Sequence, residues 1–527
     1  MAQVLRSAEG RSGRRLRGRA PMARAKTEFE LKLVGPASDV AAVRRLGWLE
    51  ECAAGPDEWE RLDSTYYDSA DGRLASAGLS LRIRNDPAGK MLTAKFLRRG
   101  ESPVARLETE RLIEESAPGF VTGVAEIDQL IGAAPDDLNP CARTVTDRWH
   151  RRFVTGGALV ELSAEIGRAE RFHPDRAVSP IAEIEIELIK GDAAAVFSLA
   201  RRLIETFGGR LRVGVETKFD RALGSARREA KTGKIAIAPD ASAGDLLAAA
   251  IAQIARRAVE SGEAALATHD GEATRRLRVS LRRYRALERV FRRTLESEEI
   301  RDLALRARDW GRMIGEVRDL DVFIGTSLPL ADDPALRARV EARLAEKWSD
   351  VGVTLGSTGF ALFLLDLLDA AHLERWRLAP SSRLSMSITQ YAEETLDRRW
   401  RRLDAAGKGA DFAIPETLHA LRIELKKFRY AAQFFRNLYP KDRRAEFFAA
   451  MSALQDAFGA INDAVVAQTI ADEAAVGGGA GAARAAGFIA GYRSAQSGAA
   501  AAGVETHWMT FVAMTPFWRM DAVSDQP

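Results

Sequence analysis

The sequence predicts a multidomain α+β chain whose N-terminal part is built from strands and whose C-terminal part is built from helices. From about Lys26 to Ala222 the hydrophobic segments are short, alternate at period two and are separated by Gly, Pro and Asp turns, a pattern typical of strands. From about Asp245 onward they are long, rich in Ala, Leu and Arg, and periodic near 3.6 residues, a pattern typical of helices. An internal repeat in this second part predicts two copies of one helical unit.

Length and composition indicate how the chain is divided into domains. At roughly 100–200 residues per domain, the chain has room for about two to four domains. Residues 1–24 are Arg-rich and are expected to be a disordered leader, a misplaced start before Met22, or a basic arm for an anionic partner. Residues 25–225 are then the strand domain, 226–244 a linker containing Pro239 and Ser242, and 245–520 the helical domain.

The sequence favours a soluble, cytoplasmic protein. Its longest apolar stretch, 360–368, carries Asp366 and is much shorter than the about 20 apolar residues of a membrane span. The N-terminus lacks the apolar core of a signal peptide. We therefore expect Cys52 and Cys141 to be reduced thiols.

The internal repeat is visible in two separated motifs. The segment 278–285 matches 422–429, and Gly315 with Asp319 matches Gly459 with Asp463, both at an offset of 144 residues. A shared offset over two motifs predicts two helical bundles packed about a pseudo-twofold axis. A solenoid of many short repeats would have a shorter period.

The strand region concentrates charges on one face of several strands. Side chains alternate between the two faces of a strand, so each of these sets shares a face: Glu28, Glu30 and Lys32; Arg82 and Arg84; Arg106, Glu108 and Glu110; and Glu183, Glu185 and Glu187. An ordinary sheet with one solvated, salt-bridged face would give the same pattern. If the sheet closes into a barrel, this face lines a charged tunnel. Arg and Lys bind phosphate oxygens and carboxylates bind cations such as Mg²⁺, so such a tunnel would suit a metal–polyphosphate ligand.

The ordered set of strand motifs resembles the CYTH, or triphosphate tunnel metalloenzyme, superfamily. The resemblance covers residues 25–225 and rests on Glu28-x-Glu30-x-Lys32, Tyr66-Tyr67-Asp68, Leu81–Arg84, Thr93-x-Lys95, Arg106-x-Glu108-x-Glu110, Glu183–Leu188 and Thr217-Lys218. It implies an eight-stranded antiparallel tunnel flanked by helices, which uses Mg²⁺ or Mn²⁺. Two positions depart from the family pattern: Glu165 stands where Asp is frequent, and Thr217 stands where Ser is usual.

The resemblance also assigns roles within the tunnel. Catalytic roles fall to Glu28, Glu30, Lys32 and Lys218. The implied metal ligands are Glu28, Glu30, Glu108, Glu165, Glu183, Glu185 and Glu187. The implied phosphate-binding residues are Lys32, Arg82, Arg84, Lys95, Arg106, Arg148, Arg152 and Lys218. In the strand 146–153, Arg148 and Arg152 share a face and Arg151 is the alternative.

A basic stripe marks the helical region. Nine arginines occur between Arg275 and Arg293, and six of them recur every three or four residues along one side of a helix beside an apolar stripe. A solvated face paired to acids is the ordinary interpretation of such a stripe. Its repetition in both copies favours an anionic partner, and we expect polyphosphate rather than nucleic acid because few aromatic residues interleave with the arginines.

The helical motifs resemble the CHAD domain, which implies polyphosphate binding. His419 occupies the position of one characteristic histidine, whereas Arg275 stands where the other is expected. Asp319 and Asp463 are expected to orient arginines. The implied polyphosphate-binding residues are Arg275, Arg278, Arg282, Arg283, Arg285, Arg289, His419, Arg422, Lys426, Lys427 and Arg429.

Together the motifs predict an enzyme that hydrolyses inorganic triphosphate, or a related short triphosphate, and holds longer polyphosphate on its helical domain. Two alternatives remain open. One is a non-catalytic protein that localises to polyphosphate granules. The other is a different activity of the tunnel family, such as thiamine triphosphatase or adenylate cyclase. The sequence makes no prediction of oligomeric state.

Overall fold

The structure is a computed structural model. It describes residues 26–519 except 87–88, 99–101, 114–119, 133–136, 174, 225–234, 236, 239, 269, 380 and 413. The predicted leader at 1–24 and most of the predicted linker at 226–244 lie outside the described residues.

The N-terminal domain contains nine strands and six short helices among the described residues. The strands are β1 (Lys26–Val34), β2 (Glu58–Asp68), β3 (Leu79–Asp86), β4 (Gly89–Phe96), β5 (Ala105–Ile113), β6 (Asn139–Thr155), β7 (Ala158–Arg171), β8 (Ala177–Lys190) and β9 (Arg212–Gly214). The helices are α1 (Ala37–Ala42), α2 (Gly47–Glu50), α3 (Arg73–Ala77), α4 (Ala125–Ile131), α5 (Ala194–Thr206) and α6 (Lys218–Leu223).

Strands β1 to β8 close into an antiparallel ring. Their order is β5-β4-β3-β2-β6-β7-β8-β1, and β1 pairs back with β5 from Lys26↔Glu108 to Phe29↔Ala105. The short strand β9 pairs with the other end of β1, from Lys32↔Gly214 to Val34↔Arg212. The predicted eight-stranded antiparallel tunnel is therefore confirmed.

The alternation in each strand separates the core of the domain from its lumen. On β1 the apolar side chains Phe29, Leu31 and Leu33 are buried outside the ring, where they join the hydrophobic core that includes Val196 and Phe197 of α5. Their polar neighbours point into the ring. Burying the apolar face under helices leaves the lumen to charged groups, the reverse of a small barrel filled with hydrophobic side chains.

The C-terminal domain is all helical. Its helices are α7 (Ala243–Thr268), α8 (Gly271–Phe291), α9 (Glu298–Thr326), α10 (Pro334–Leu355), α11 (Thr358–His372), α12 (Ile388–Lys408), α13 (Pro415–Phe435), α14 (Lys441–Ala475) and α15 (Gly479–Val512). A shift of 144 residues carries α8 onto α13 and brings α7, α9 and α10 close to the starts of α12, α14 and α15. The internal repeat is thus four helices long, and α11 lies between the two copies.

No single helix among the described residues is both long and apolar enough to cross a membrane. The pair α10 and α11, bent by 58° at their junction, meets the length and composition criteria only when taken together.

Candidate functional site in the strand tunnel and on the basic helices

The lumen of the ring is a cavity of about 220 Å³ that is lined almost entirely by charged and hydroxyl side chains. Eight lining residues are cationic and eight are carboxylates, so the wall is close to neutral overall. The cations are Lys26, Lys32, Arg82, Arg84, Lys95, Arg106, Arg148 and Lys218; the carboxylates are Glu28, Glu30, Glu108, Glu110, Glu161, Glu165, Glu185 and Glu187.

The first charge cluster surrounds Lys95 on β4. Its Nζ lies 2.5 Å from Glu28 Oε2 and 3.3 Å from both Glu30 Oε2 and Glu108 Oε1. Burial raises the pKa of Glu28 to about 7, and the negative charges of Glu30 and Glu108 add to the shift although Lys95 opposes it. Lys26 also approaches this cluster, 3.4 Å from Glu108, so three carboxylates face two ammonium groups.

The second cluster is better balanced. Lys32 Nζ lies 2.5 Å from Glu183 and 2.9 Å from Glu185, and Lys218 Nζ lies 2.7 Å from Glu185 and 3.1 Å from Glu165. Burial alone would raise the pKa of Glu185, but Lys218 and Lys32 outweigh burial and hold it well below its ordinary value. For Lys32 the directions are reversed. Burial alone would lower the pKa of Lys32, but Glu183 and Glu185 outweigh burial and raise it.

The excess negative charge points to the first cluster as the place for a divalent cation. Its donors are all carboxylate oxygens, the ligands that Mg²⁺ and Mn²⁺ accept. A cation between Glu28, Glu30 and Glu108 would supply the positive charge that this cluster lacks, and it would displace the proton that Glu28 otherwise retains up to about pH 7. As they stand, no three or more potential ligands among the described residues are arranged as a metal site.

Hydrogen-bond donors without acceptors face the same lumen. Among the described residues, Arg82 Nε and Arg148 Nε are buried and have no hydrogen-bond partner. Arg106 donates one hydrogen bond, to the Val215 carbonyl at 3.3 Å. Unsatisfied buried guanidinium donors are costly unless an acceptor arrives. Phosphate oxygens would satisfy them in the planar geometry that guanidinium groups favour.

Lys218 is positioned by a helix cap. Thr217 is the N-cap of α6: its hydroxyl accepts from the Asp220 N–H at 2.9 Å, and its own backbone N–H donates to the Asp220 carboxylate at 3.1 Å. This reciprocal pair is a capping box, which starts the helix at Lys218 and directs the ammonium toward the carboxylates. The hydroxyl at position 217 therefore has a structural role, which Thr performs as Ser would.

Glu165 also fits the tunnel. It is paired with Lys218 and accepts a hydrogen bond from Thr146 at 2.9 Å, and only 1% of its side chain is exposed.

Two of the predicted tunnel residues lie away from the lining. Glu183 is completely buried behind Lys32 and Lys218 and does not line the cavity. Arg152 lies beyond the lining, with 58% of its side chain exposed and Glu161 at 3.5 Å. Arg148 lines the cavity, and the alternative Arg151 points outside the ring to Glu50 at 2.7 Å.

The sequence interpretation omitted two charged lining residues, Lys26 and Glu161. Lys26 reaches Glu187 at 3.1 Å and Glu108 at 3.4 Å. Glu161 contacts Arg148 at 3.4 Å and His150 at 3.5 Å. The same period-two pattern contains both, because Lys26 precedes Glu28 and Glu161 precedes Glu165 on their strands.

On the helical domain, the repeat brings basic residues of both copies together. Arg278 of α8 contacts Asp319 of α9 at 3.5 Å, as expected for an orienting aspartate. The Lys426 ammonium of α13 reaches solvent, yet partial burial and the positive charges of Arg422, Arg282 and Arg278 lower its pKa to about 8. Because α8 and α13 pack against each other, the two basic stripes lie side by side.

The other members of the predicted polyphosphate set differ in how they are neutralised. Arg275 pairs with Glu272 at 2.7 Å, and Lys427 pairs with Glu424 at 2.5 Å. Arg283 lies over the Phe434 ring at 5.7 Å, and burial followed by repulsion from Arg257 lowers its pKa to about 10. Four others have no ion pair among the described residues: Arg285, Arg289, His419 and Arg429. His419 is exposed in the first turns of α13.

Both parts of the chain match known families. Residues 26–223 match the CYTH domain, and residues 246–472 match the CHAD domain. CYTH domains belong to the triphosphate tunnel family of triphosphatases and cyclases, whose members generally use divalent metal ions, and CHAD domains are associated with polyphosphate.

Solved structures are similar to each part. A CHAD domain from the plant Ricinus communis is 24% identical over 54% of this chain and 96% of its own, with a TM-score of 0.48. PptA from Streptomyces chartreusis is 16% identical over 51% of this chain and 100% of its own, with a TM-score of 0.41. A Hippeastrum protein described as having a dominant triphosphatase activity is 21% identical over 37% of this chain and 95% of its own, with a TM-score of 0.26. The two family matches show that the chain carries a CYTH domain followed by a CHAD domain.

Proposed function

We propose that the tunnel hydrolyses inorganic triphosphate, with Mg²⁺ or Mn²⁺ as cofactor, and that the helical domain binds longer polyphosphate. The observation that carries the proposal is the charge balance of the lumen. Eight cations face eight carboxylates, so the wall alone does not offset the several negative charges of a triphosphate. A triphosphate that enters with divalent cations would meet guanidinium groups for its oxygens and carboxylates for its metal.

The composition of the wall favours an inorganic substrate over a nucleotide. Leu62 and Tyr66 are the apolar or aromatic side chains that line the described part of the tunnel, and Tyr66 is already stacked on Phe219 with ring centroids 5.0 Å apart. A nucleobase or thiazolium ring needs an apolar or aromatic surface to stack on. A chain of phosphates does not need such a surface.

In the proposed reaction, water attacks a terminal phosphorus and the phosphoanhydride bond to the bridging oxygen breaks, which releases phosphate and diphosphate. Arg82, Arg106 and Arg148 would hold the phosphate oxygens and stabilise the charge that spreads over them. Lys32 and Lys218 would neutralise the leaving diphosphate. Glu28, Glu30 and Glu108 would hold the cation. When bound, the cation supplies charge neutralisation and orientation of substrate and water.

The helical domain would bind longer polyphosphate molecules. Arg278, Arg282, Arg422 and Lys426 form a basic surface contributed by both repeats, and a flexible polyanion could contact all four at once. We propose that this surface recruits the protein to cytoplasmic polyphosphate, including granules.

Phosphate release by the purified full-length protein tests the proposal. Tripolyphosphate, long-chain polyphosphate, ATP and thiamine triphosphate would be offered in parallel, with Mg²⁺, with Mn²⁺ and with chelator. We expect metal-dependent release that is fastest on tripolyphosphate. Fastest release from ATP or thiamine triphosphate would contradict the inorganic substrate. Tight binding of long polyphosphate, with no phosphate released from any substrate, would indicate a non-catalytic polyphosphate-binding protein.

A further inference from the structure

The helix between the two repeats, α11, packs against the tunnel domain. Its residues from Phe360 to Ala371 are largely buried, and α11 contacts α5 and β9 of the strand domain as well as α7 and α9 of the helical domain. Its N-terminus abuts Gly209, where an added Cβ would lie 2.6 Å from the Thr358 nitrogen. The two domains therefore share one continuous hydrophobic core.

The last residue of α11 touches β1, the strand that carries Glu28 and Glu30 of the cluster around Lys95. The His372 ring stacks on Phe29 with centroids 4.3 Å apart and planes 23° apart. Phe29 is 8% exposed and lies on β1 between Glu28 and Glu30. Because neighbouring side chains on a strand point to opposite faces, His372 supports from outside the backbone that presents these two carboxylates inside.

Ion pairs hold the helix in this place. Asp366 of α11 accepts from Arg201 of α5 and, at 2.6 Å, from Arg306 of α9, so one carboxylate joins both domains. A second bridge crosses the interface where Arg212 of β9 meets Glu263 of α7 at 2.8 Å. Partly buried Arg–carboxylate pairs with two partners fix geometry more firmly than exposed pairs do.

His372 contacts Phe29 at the β1–β5 seam, which is one of the shortest strand pairings in the ring. β1 and β5 are joined by four residue pairs, whereas β6 and β7 are joined by fourteen. Glu28 and Glu108, on the two sides of that seam, are both ligands of the proposed cation cluster. A small displacement of β1 would separate them.

We propose that the helical domain is a working part of the tunnel site, in which His372, acting through Phe29, is a positioning residue for Glu28 and Glu30. The inference rests on the proposed function for the identity of the bound cation. It goes beyond that function because it makes the cation site dependent on a helix of the other domain.

The test compares the full-length protein with His372→Ala, which removes the ring, and His372→Phe, which keeps an aromatic ring against Phe29. Mn²⁺ binding is measured by titration, and amide hydrogen exchange is measured across β1. Loss of outer contacts to metal ligands commonly weakens metal binding by roughly 10-fold or more. We expect His372→Ala to lose about this much Mn²⁺ affinity and to exchange faster at 26–34, and His372→Phe to restore both.

Leu403→Ala is the matched control, because it truncates a fully buried side chain of α12 in the second repeat, away from the strand domain. It should lower overall stability while leaving β1 exchange and Mn²⁺ affinity unchanged. Asp366→Asn gives a second route should His372→Ala fail to fold, and it should shift the same two readouts in the same direction.

Unchanged β1 exchange and Mn²⁺ affinity in His372→Ala or Asp366→Asn would overturn the inference, as would equal losses in the Leu403→Ala control. These results are distinct from failure of the proposed function. A wild-type protein that binds Mn²⁺ but hydrolyses no triphosphate would refute the function while leaving the positioning effect measurable.

Discussion

The cluster around Lys95 predicts that one tunnel glutamate weakens the metal-free fold. Glu28 is nearly buried and its pKa is raised from 4.5 to about 7. Between these two values the unfolded chain has released the Glu28 proton while the folded chain retains it. The contribution of Glu28 to the free energy of unfolding of the metal-free protein therefore falls as pH rises from about 4.5 to 7, and this loss is complete above 7. At about 1.4 kcal/mol per pKa unit, the full effect is on the order of 3 kcal/mol.

Glu28→Gln should therefore stabilise the metal-free protein at pH 8.5. Glutamine resembles the protonated carboxyl, can accept the hydrogen bond from Lys95, and carries no charge to repel Glu30 and Glu108. A gain of about 3 kcal/mol corresponds to a rise of roughly 5–10 °C in the melting temperature of a domain of this size. The same variant should lose Mn²⁺ binding, because an amide replaces an anionic ligand.

Scanning calorimetry in chelator at pH 4.5 and 8.5 measures this effect, and Mn²⁺ titration measures the binding. Glu110→Gln is the matched control, since Glu110 lines the same tunnel but accepts from Thr93 at 3.3 Å rather than sharing Lys95. A Glu28→Gln protein that melts below the wild type at pH 8.5 in chelator would refute the reasoning, as would one that retains full Mn²⁺ affinity.

Three further predictions follow from the charge clusters. Lys218→Met should lower kcat for tripolyphosphate by roughly 10²-fold, the scale expected for loss of a charge-stabilising group, and wild-type rates in steady-state kinetics would contradict this. The same variant should lower the free energy of unfolding, because Glu165 and Glu185 lose a partner. Replacing Arg282 and Lys426 together by Ala should weaken long-polyphosphate binding by about 10-fold and reduce its salt dependence, whereas Arg275→Ala, already paired with Glu272, should cost less in the same titration. Polyphosphate affinity should rise as pH falls from 9 to 7, because Lys426 gains its proton near pH 8; an affinity that is flat across this range would argue against Lys426 as a contact.

The tunnel wall could be predicted from the sequence because alternation on a strand is a local property. Glu28, Glu30 and Lys32 had to share a face once they lay on one strand, and the structure places all three along the lumen. The 144-residue repeat likewise predicted that 278–285 and 422–429 lie on equivalent helices, as they do on α8 and α13. In both cases the pattern depends only on the period of the secondary structure.

The pairing of charges across strands could not be predicted in this way. Lys95 meets Glu28 because β4, β5 and β1 are neighbours in a particular register, and that register depends on the closure of the whole ring. Glu183 has the same place in the strand alternation as Glu185, yet it lies behind Lys32 and not along the lumen. This position also depends on the closure of the ring, which alternation along one strand does not reveal. The contact between His372 and Phe29 had no local signal either, because it joins residues from opposite domains.

Metal-dependent phosphate release from tripolyphosphate by Glu30→Ala, compared with Glu110→Ala and the wild type, tests the central claim most directly. The account predicts that the wild type releases phosphate only with Mg²⁺ or Mn²⁺, that Glu30→Ala loses nearly all of this activity, and that Glu110→Ala retains a substantial part of it. Full metal-dependent activity in Glu30→Ala would contradict the account.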